Sequence, residues 1–227
     1  MARRSLMVPL PPAAAPWSKP RGLLLDAMGT LITLRESVGT TYAAAAAEHG
    51  LAVTPAAIDA AFPRIYRAAP PLAFALQAPG ALLDAERGWW GDRIREVFQA
   101  IDGSIEPPAA LLEDLFDRFA QPQLWRVYPD VPQRLAGWRQ QGLRLSVVSN
   151  FDRRLHGLLA ALELRSSLQD VIVSSEVGAA KPSPLPFRRA MEAMDLQPHQ
   201  VWHVGDQPED VEGAARAGVP CLLLRRR

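Results

Sequence analysis

The sequence is short of cysteine, of lysine and of net charge, and each shortage narrows what the chain can be. A single cysteine, Cys221, among 227 residues excludes an internal disulfide and fits a reducing, cytoplasmic setting. The 25 basic and 24 acidic residues leave a net charge of +1. That balance makes no electrostatic case for nucleic acid or an anionic membrane surface. No apolar run approaches the ~20 residues that span a bilayer. His49, His156, His199 and His203 show no metal-ligand spacing. His203, inside an apolar run, reads as a satisfied interior imidazole, and Cys221, in Pro220-Cys221-Leu222-Leu223-Leu224, as a structural thiol on a buried strand. Arg225-Arg226-Arg227 reads as a solubilising terminus.

What the chain does contain is an ordered alternation of elements. Residues 1–20 imitate a secretion signal, with Arg3 and Arg4 ahead of an apolar stretch. Pro9, Pro11 and Pro12 interrupt it, so the segment reads as a disordered extension. A first strand is expected at 22–27. From Ser37 to about Tyr128 the apolar residues recur at helical spacing. Helices are expected over 42–48, stopping at Gly50, then from Pro55 to Arg67 with Thr54 as N-cap, and over 82–101 and 109–120. No strand is expected in this lobe. After Tyr128-Pro129-Asp130, helices at 132–141, 153–162 (Asp152 as N-cap), 184–194 and 209–217 alternate with strands at 143–148, 171–173, 201–204 and 221–224. Apolar strands alternating with helices predict an α/β fold with a parallel sheet covered on both faces. Such sheets bind ligands at the carboxyl ends of their strands.

Four segments end at that edge and carry polar residues: Asp26, Ser149-Asn150, Lys181 and Gly205-Asp206. Each alone reads as a turn or a helix cap; the ordered set of four is harder to explain that way. Lys181 adds an independent argument. The chain holds 23 arginines and only two lysines, Lys19 and Lys181. A lysine in so arginine-rich a chain points to a need for a compact ammonium. A carboxylate nucleophile approaching a phosphoryl group meets charge repulsion, and needs a cation and donors for the phosphoryl oxygens. Asp206 and Asp210 are candidates to hold Mg²⁺ beside Asp26, with Lys181 offsetting the clustered charge and Ser149 orienting the phosphoryl oxygens. Position 28 is Met, and a thioether donates no proton.

Together these residues resemble the haloacid dehalogenase-like superfamily. Its Asp-x-Asp-Gly-Thr motif is matched by Asp26-Ala27-Met28-Gly29-Thr30 except at the third position. The second motif is Ser149-Asn150, the third Lys181 with Pro182-Ser183-Pro184, and the fourth Gly205-Asp206-Gln207-Pro208-Glu209-Asp210. Ser149-Asn150-Phe151-Asp152-Arg153-Arg154-Leu155 resembles the rhythmically-expressed-gene-like branch. The resemblance implies a Rossmann-like core (21–35 and 129–227) with an inserted all-α cap (36–128). It implies a Mg²⁺-dependent phosphatase acting on a small phosphorylated metabolite through an aspartyl-phosphate on Asp26. The catalytic set would be Asp26, Ser149, Asn150 and Lys181; the metal set would be Asp26, the backbone carbonyl of Met28, Asp206 and Asp210. Met28 replaces the family's acid–base aspartate. Only three residues separate Asp206 from Asp210, one fewer than in that branch, which bears on whether Asp210 reaches the metal.

Two other readings stay open. A non-catalytic protein could keep the fold and bind a phosphorylated ligand; Met28 supports it. A metal-free haloacid dehalogenase also lacks the second acid, but a bare carboxylate pair would repel an anionic substrate. A phosphonate-cleaving enzyme needs a cap lysine, and none lies between Lys19 and Lys181. Monomer and dimer are equally open. Phe74, Trp89 and Trp90 are the conspicuous cap aromatics, and Trp89 and Trp90 face different sides of their helix. Arg153 and Arg154 read first as a solvated helix start, with contact to an anionic substrate as the alternative.

Overall fold

The computed structural model describes residues 19–75 and 78–226, so the disordered extension expected over residues 1–20 lies outside the described residues except for Lys19 and Pro20. In chain order the elements are β1 (Gly22–Leu25), β2 (Ile32–Leu34), α1 (Val38–Glu48), α2 (Pro55–Ala68), α3 (Pro79–Ile101), α4 (Ala109–Arg118), β3 (Trp125–Val127) and α5 (Val131–Gln140). Then follow β4 (Arg144–Ser149), α6 (Arg154–Ala161), β5 (Asp170–Val173), α7 (Ser174–Val177), α8 (Leu185–Met194), β6 (Val201–Gly205), α9 (Pro208–Arg216) and β7 (Cys221–Leu223).

Five strands form one parallel sheet in the order β5-β4-β1-β6-β7. β1 lies at its centre, with Leu25 paired to Val147 on one side and Val204 on the other. Every residue of β1 is buried, as expected of a strand covered on both faces. Leu23, Leu25, Val147 and Val171 pack with Leu135 of α5 and Leu155, Leu158 and Leu159 of α6. On the opposite face Leu24 and Val148 meet Phe187, Ala190 and Met194 of α8 and Ala214 of α9. Chain order reverses across β1, so β1 and its neighbours form the switch point at which such sheets open a ligand crevice.

The four helices α1–α4 have a hydrophobic core of their own, built around Tyr42, Ile58, Ile94, Phe98, Leu111 and Leu115. Thr54 caps α2 by accepting from Ala57 N–H, with Pro55 at the first helical position. α1 starts earlier than the alanine run suggested, because Ser37 caps it through Thr40 N–H. α3 likewise starts at Pro79.

Three expectations need correction. Residues 125–127, read as part of a strandless lobe, form β3, which pairs antiparallel with β2. A three-residue strand shows no periodicity of its own and exists through its partner. The 221–224 run, read as a buried strand, is the sheet's edge: Leu222 is 42% and Leu223 49% exposed, because β7 has only β6 beside it. Arg226, assigned to a solubilising tail, donates to Thr30 O and Asp130 Oδ1, each at 2.6 Å, and lies over the Tyr128 ring.

Candidate active site

Asp26 follows β1 directly, and its N–H donates to Val204 O at 2.9 Å, which carries the β1–β6 pairing one residue past the strand. The chain then turns sharply. The carbonyl of Ala27 accepts from Leu31 and Ile32, and Gly29 N–H donates to Ile32 O at 2.8 Å. Gly29 has φ +85°, and a Cβ there would lie 2.5 Å from a carboxylate oxygen of Asp206. Glycine is thus required twice over, for the turn and for the approach of Asp206. At Gly205 a Cβ would fall 2.2 Å from the Asp210 carboxyl carbon.

Lys181 joins the segments. Its buried ammonium donates to Asp26 Oδ1 (2.6 Å), Asp210 Oδ1 (2.6 Å) and Val148 O (3.1 Å), which uses all three of its protons. Asn150 holds this lysine in place. Its side-chain oxygen accepts from Lys181 N–H at 2.6 Å and its amide donates to Lys181 O at 3.0 Å. Asn150 is therefore a clamp on the lysine backbone. Ser149 is buried at the carboxyl end of β4. Met28 points outward, 45% exposed.

Asp210 is the most heavily bonded of the three candidate metal carboxylates. Oδ1 accepts from Lys181 and from His203 Nε2 (2.8 Å); Oδ2 accepts from the N–H groups of Asp206 (3.1 Å) and Gln207 (3.0 Å). Four donors fill the acceptor sites of one fully buried carboxylate. The short spacing puts Asp210 at the third position of α9, where its side chain turns back to cap the helix. It braces the loop that carries Asp206 and anchors Lys181. Carboxylate oxygens of Asp26, Asp206 and Asp210 still lie within 4.8 Å of one another. Asp206, partly exposed, is the least committed of the three, with a long contact from the Thr30 hydroxyl (3.4 Å) and one from the Gln207 amide.

The electrostatics follow from burial. Desolvation pushes Asp26 up to about 6, against the pull of Lys181. Burial also opposes the charge on Asp210, but the His203 hydrogen bond and the Lys181 ammonium outweigh it and hold its carboxyl below the usual range. Desolvation works against the Lys181 ammonium; the charges of Asp26 and Asp210 reverse that and raise it. Burial lowers His203 despite its carboxylate partner, which leaves the ring neutral as the donor to Asp210.

Arg153 and Arg154, expected at a solvated helix start, tie the helical unit to this edge instead. Arg154 binds Asp152 through Nε (2.8 Å) and Nη2 (2.6 Å) and donates to Phe116 O at 2.6 Å. Arg153 pairs with the buried Glu86 of α3 at 2.9 Å, which also accepts from Ser175 Oγ at 2.6 Å. Asp152 accepts from Arg154 N–H in place of a regular helix cap, and takes the indole N–H of Trp90 at 2.7 Å. Trp89 faces inward and donates to Pro70 O. Sequence reasoning missed His203 and Glu86 as partners of this edge. His203, two residues before Gly205-Asp206 on an apolar strand, was the available signal; Glu86 had none.

Residues 20–218 match the model of a hydrolase family described as haloacid dehalogenase-like hydrolase. Over 211 residues the chain is 35% identical to haloacid dehalogenase-like hydrolase domain-containing protein 3 of Mus musculus, covering 90% of this chain and 81% of that protein. It is 33% identical over 151 residues to a phosphoserine phosphatase of Thermus thermophilus, covering 63% of this chain and 59% of that one. Among solved structures it resembles L-2-haloacid dehalogenase from Xanthobacter autotrophicus with chloropropionic acid covalently bound, with a TM-score of 0.62 and 22% identity, covering 89% and 76% of the two chains.

Proposed function

The chain belongs to the haloacid dehalogenase-like hydrolase family, and we propose that it hydrolyses the phosphate monoester of a small metabolite with Asp26 as nucleophile. The buried Asp26–Lys181–Asp210 ion set at the carboxyl edge of β1 carries this reading. An oxygen of Asp26 attacks phosphorus, the ester oxygen departs, and water then hydrolyses the aspartyl-phosphate. Lys181, with three hydrogen bonds, holds the nucleophile in line. The Ser149 hydroxyl orients the phosphoryl oxygens. In this scheme residues 36–128 form the cap and 21–35 with 129–227 the core.

The donor set fits Mg²⁺. Three carboxylates converge within 4.8 Å, and Lys181 offsets one of their charges while His203 is neutral, so a divalent cation would balance the remainder. Asp26, Asp206 and the Met28 carbonyl would hold it; the bridge between residues 28 and 32 uses the Ala27 carbonyl and the Gly29 N–H. When bound, the ion would neutralise charge between the carboxylate and the phosphoryl oxygens. This charge balance speaks against a metal-free dehalogenase, where the same carboxylates would repel an anionic haloacid. No helix of the described residues is long and apolar enough to cross a membrane, and the single cysteine accords with a cytoplasmic home.

Met28 favours a second reading, a binding protein on the same fold. Hydrolysis of 4-nitrophenyl phosphate with Mg²⁺ separates the two. The wild type turns it over and Asp26→Asn does not. Activity that survives Asp26→Asn sinks the nucleophile assignment; no turnover across a broad panel of phosphate esters, with retained binding of a phosphate ester, favours the binding protein.

A further inference from the structure

The position that would present a proton to the leaving group holds Met28, whose side chain has no proton to give. The helical unit brings a different donor to the same edge. Trp90 Nε1 binds Asp152 at 2.7 Å, two residues after the Asn150 that clamps Lys181. On Trp90 lies Tyr66 of α2, with ring centroids 6.1 Å apart and the planes at 21°. Phe62 stacks on Tyr66 at 5.8 Å, and Trp89 meets it edge-on at 6.1 Å. Three aromatic neighbours thus set the orientation of this ring without using its hydroxyl. Trp89 in the same cluster is buried, whereas Tyr66 is 40% exposed, so the phenol borders open space. The charges acting on the hydroxyl are those of Asp152, Asp26, Lys181 and Glu209, all at the carboxyl edge of the sheet.

We infer that the Tyr66 hydroxyl meets the leaving-group oxygen of the substrate and supplies the proton that Met28 cannot. The inference rests on Asp26 being the nucleophile. As the Asp26 oxygen–phosphorus bond forms and the phosphorus–ester oxygen bond breaks, the phenol proton passes to the departing oxygen, giving the free alcohol and a phenolate. A phenol is a stronger acid than an aliphatic alcohol, so this transfer runs downhill. Water then attacks phosphorus, the aspartyl–phosphorus bond breaks, and the water's proton returns to the phenolate, releasing phosphate.

The test is a leaving-group series: 4-nitrophenyl, phenyl and benzyl phosphate, with wild type, Tyr66→Phe and Asp26→Asn. Phenylalanine keeps the aromatic stack, and urea midpoints check the fold. A good leaving group needs no proton, so Tyr66→Phe leaves kcat/KM on 4-nitrophenyl phosphate within about threefold and lowers it about 100-fold on benzyl phosphate. Equal loss across the series, or none, overturns the role of Tyr66 alone, provided Asp26→Asn abolishes activity on all three esters. An inactive wild type, or an active Asp26→Asn, overturns the Asp26 reading and this one with it.

Discussion

Replacing Lys181 by methionine roughly keeps the side-chain volume and removes the ammonium that faces two buried carboxylates. Asp26 and Asp210 each accept from it through Oδ1 at 2.6 Å. Deleting one partner of a buried, hydrogen-bonded ion set costs about 3–5 kcal/mol. The pH dependence is the sharper signature. In the wild type Asp26 is pushed up to about 6 from 3.8, so its carboxyl is ionised above that pH and its contribution to stability is flat. Without Lys181 the carboxyl rises further, because the main force lowering it is gone. The folded variant then keeps a proton that the unfolded chain has released. Folded protein binding more protons means stability that falls as pH rises. The gap between variant and wild type should widen as pH rises above 6, by at most about 1.4 kcal/mol per pH unit. Below pH 6 both forms hold the Asp26 proton and the gap stops changing on that account. Urea unfolding followed by circular dichroism at pH 6, 7 and 8, with EDTA present so that no cation replaces the ammonium, measures it. A gap under about 1 kcal/mol at pH 8, or one equal at pH 6 and 8, refutes the reasoning.

Three further outcomes follow from named contacts. Gly29→Ala forces a Cβ residue to φ +85° and against the Asp206 carboxylate; it should lose about 1–3 kcal/mol of stability and, by displacing Asp206, most of the phosphatase activity. Glu86 is buried between Ser175 and Arg153, and desolvation raises its pKa above 4.5. Its folded form therefore binds the extra proton, so wild-type stability should decline as pH rises from 4.5 through the raised value, and Glu86→Gln should remove that slope in thermal melts. His156 is raised above 6.5 by its hydrogen bond to Glu176. NMR titration should show the elevated value and its return toward 6.5 in Glu176→Gln. The stability it adds is present below 6.5 and lost as pH rises through the raised value; both side chains are 39% exposed, so it stays within about 1 kcal/mol.

Local chemistry made much of this protein legible from its residues alone. Continuous apolar runs announced β1 and β4, because a strand covered on both faces has no polar side. Thr54-Pro55 announced the start of α2 because cap and ring act within one turn. The scarcity of lysine singled out Lys181, since three converging acceptors suit an ammonium and not a guanidinium. All of these are determined by a residue and its close neighbours in the chain. Asp210, Arg153 and Arg154, β3 and β7 are different. Whether Asp210 reaches a metal or caps α9 depends on donors from His203 and Lys181. Whether two arginines meet solvent or the helical unit depends on Glu86 of α3 and the Phe116 carbonyl of α4 reaching them. Whether Cys221–Leu223 is buried depends on its place in the sheet order. A side chain's type sets which interactions it can make; the packing of segments far apart in sequence decides which of them it makes, because desolvation and hydrogen bonding act on neighbours in space.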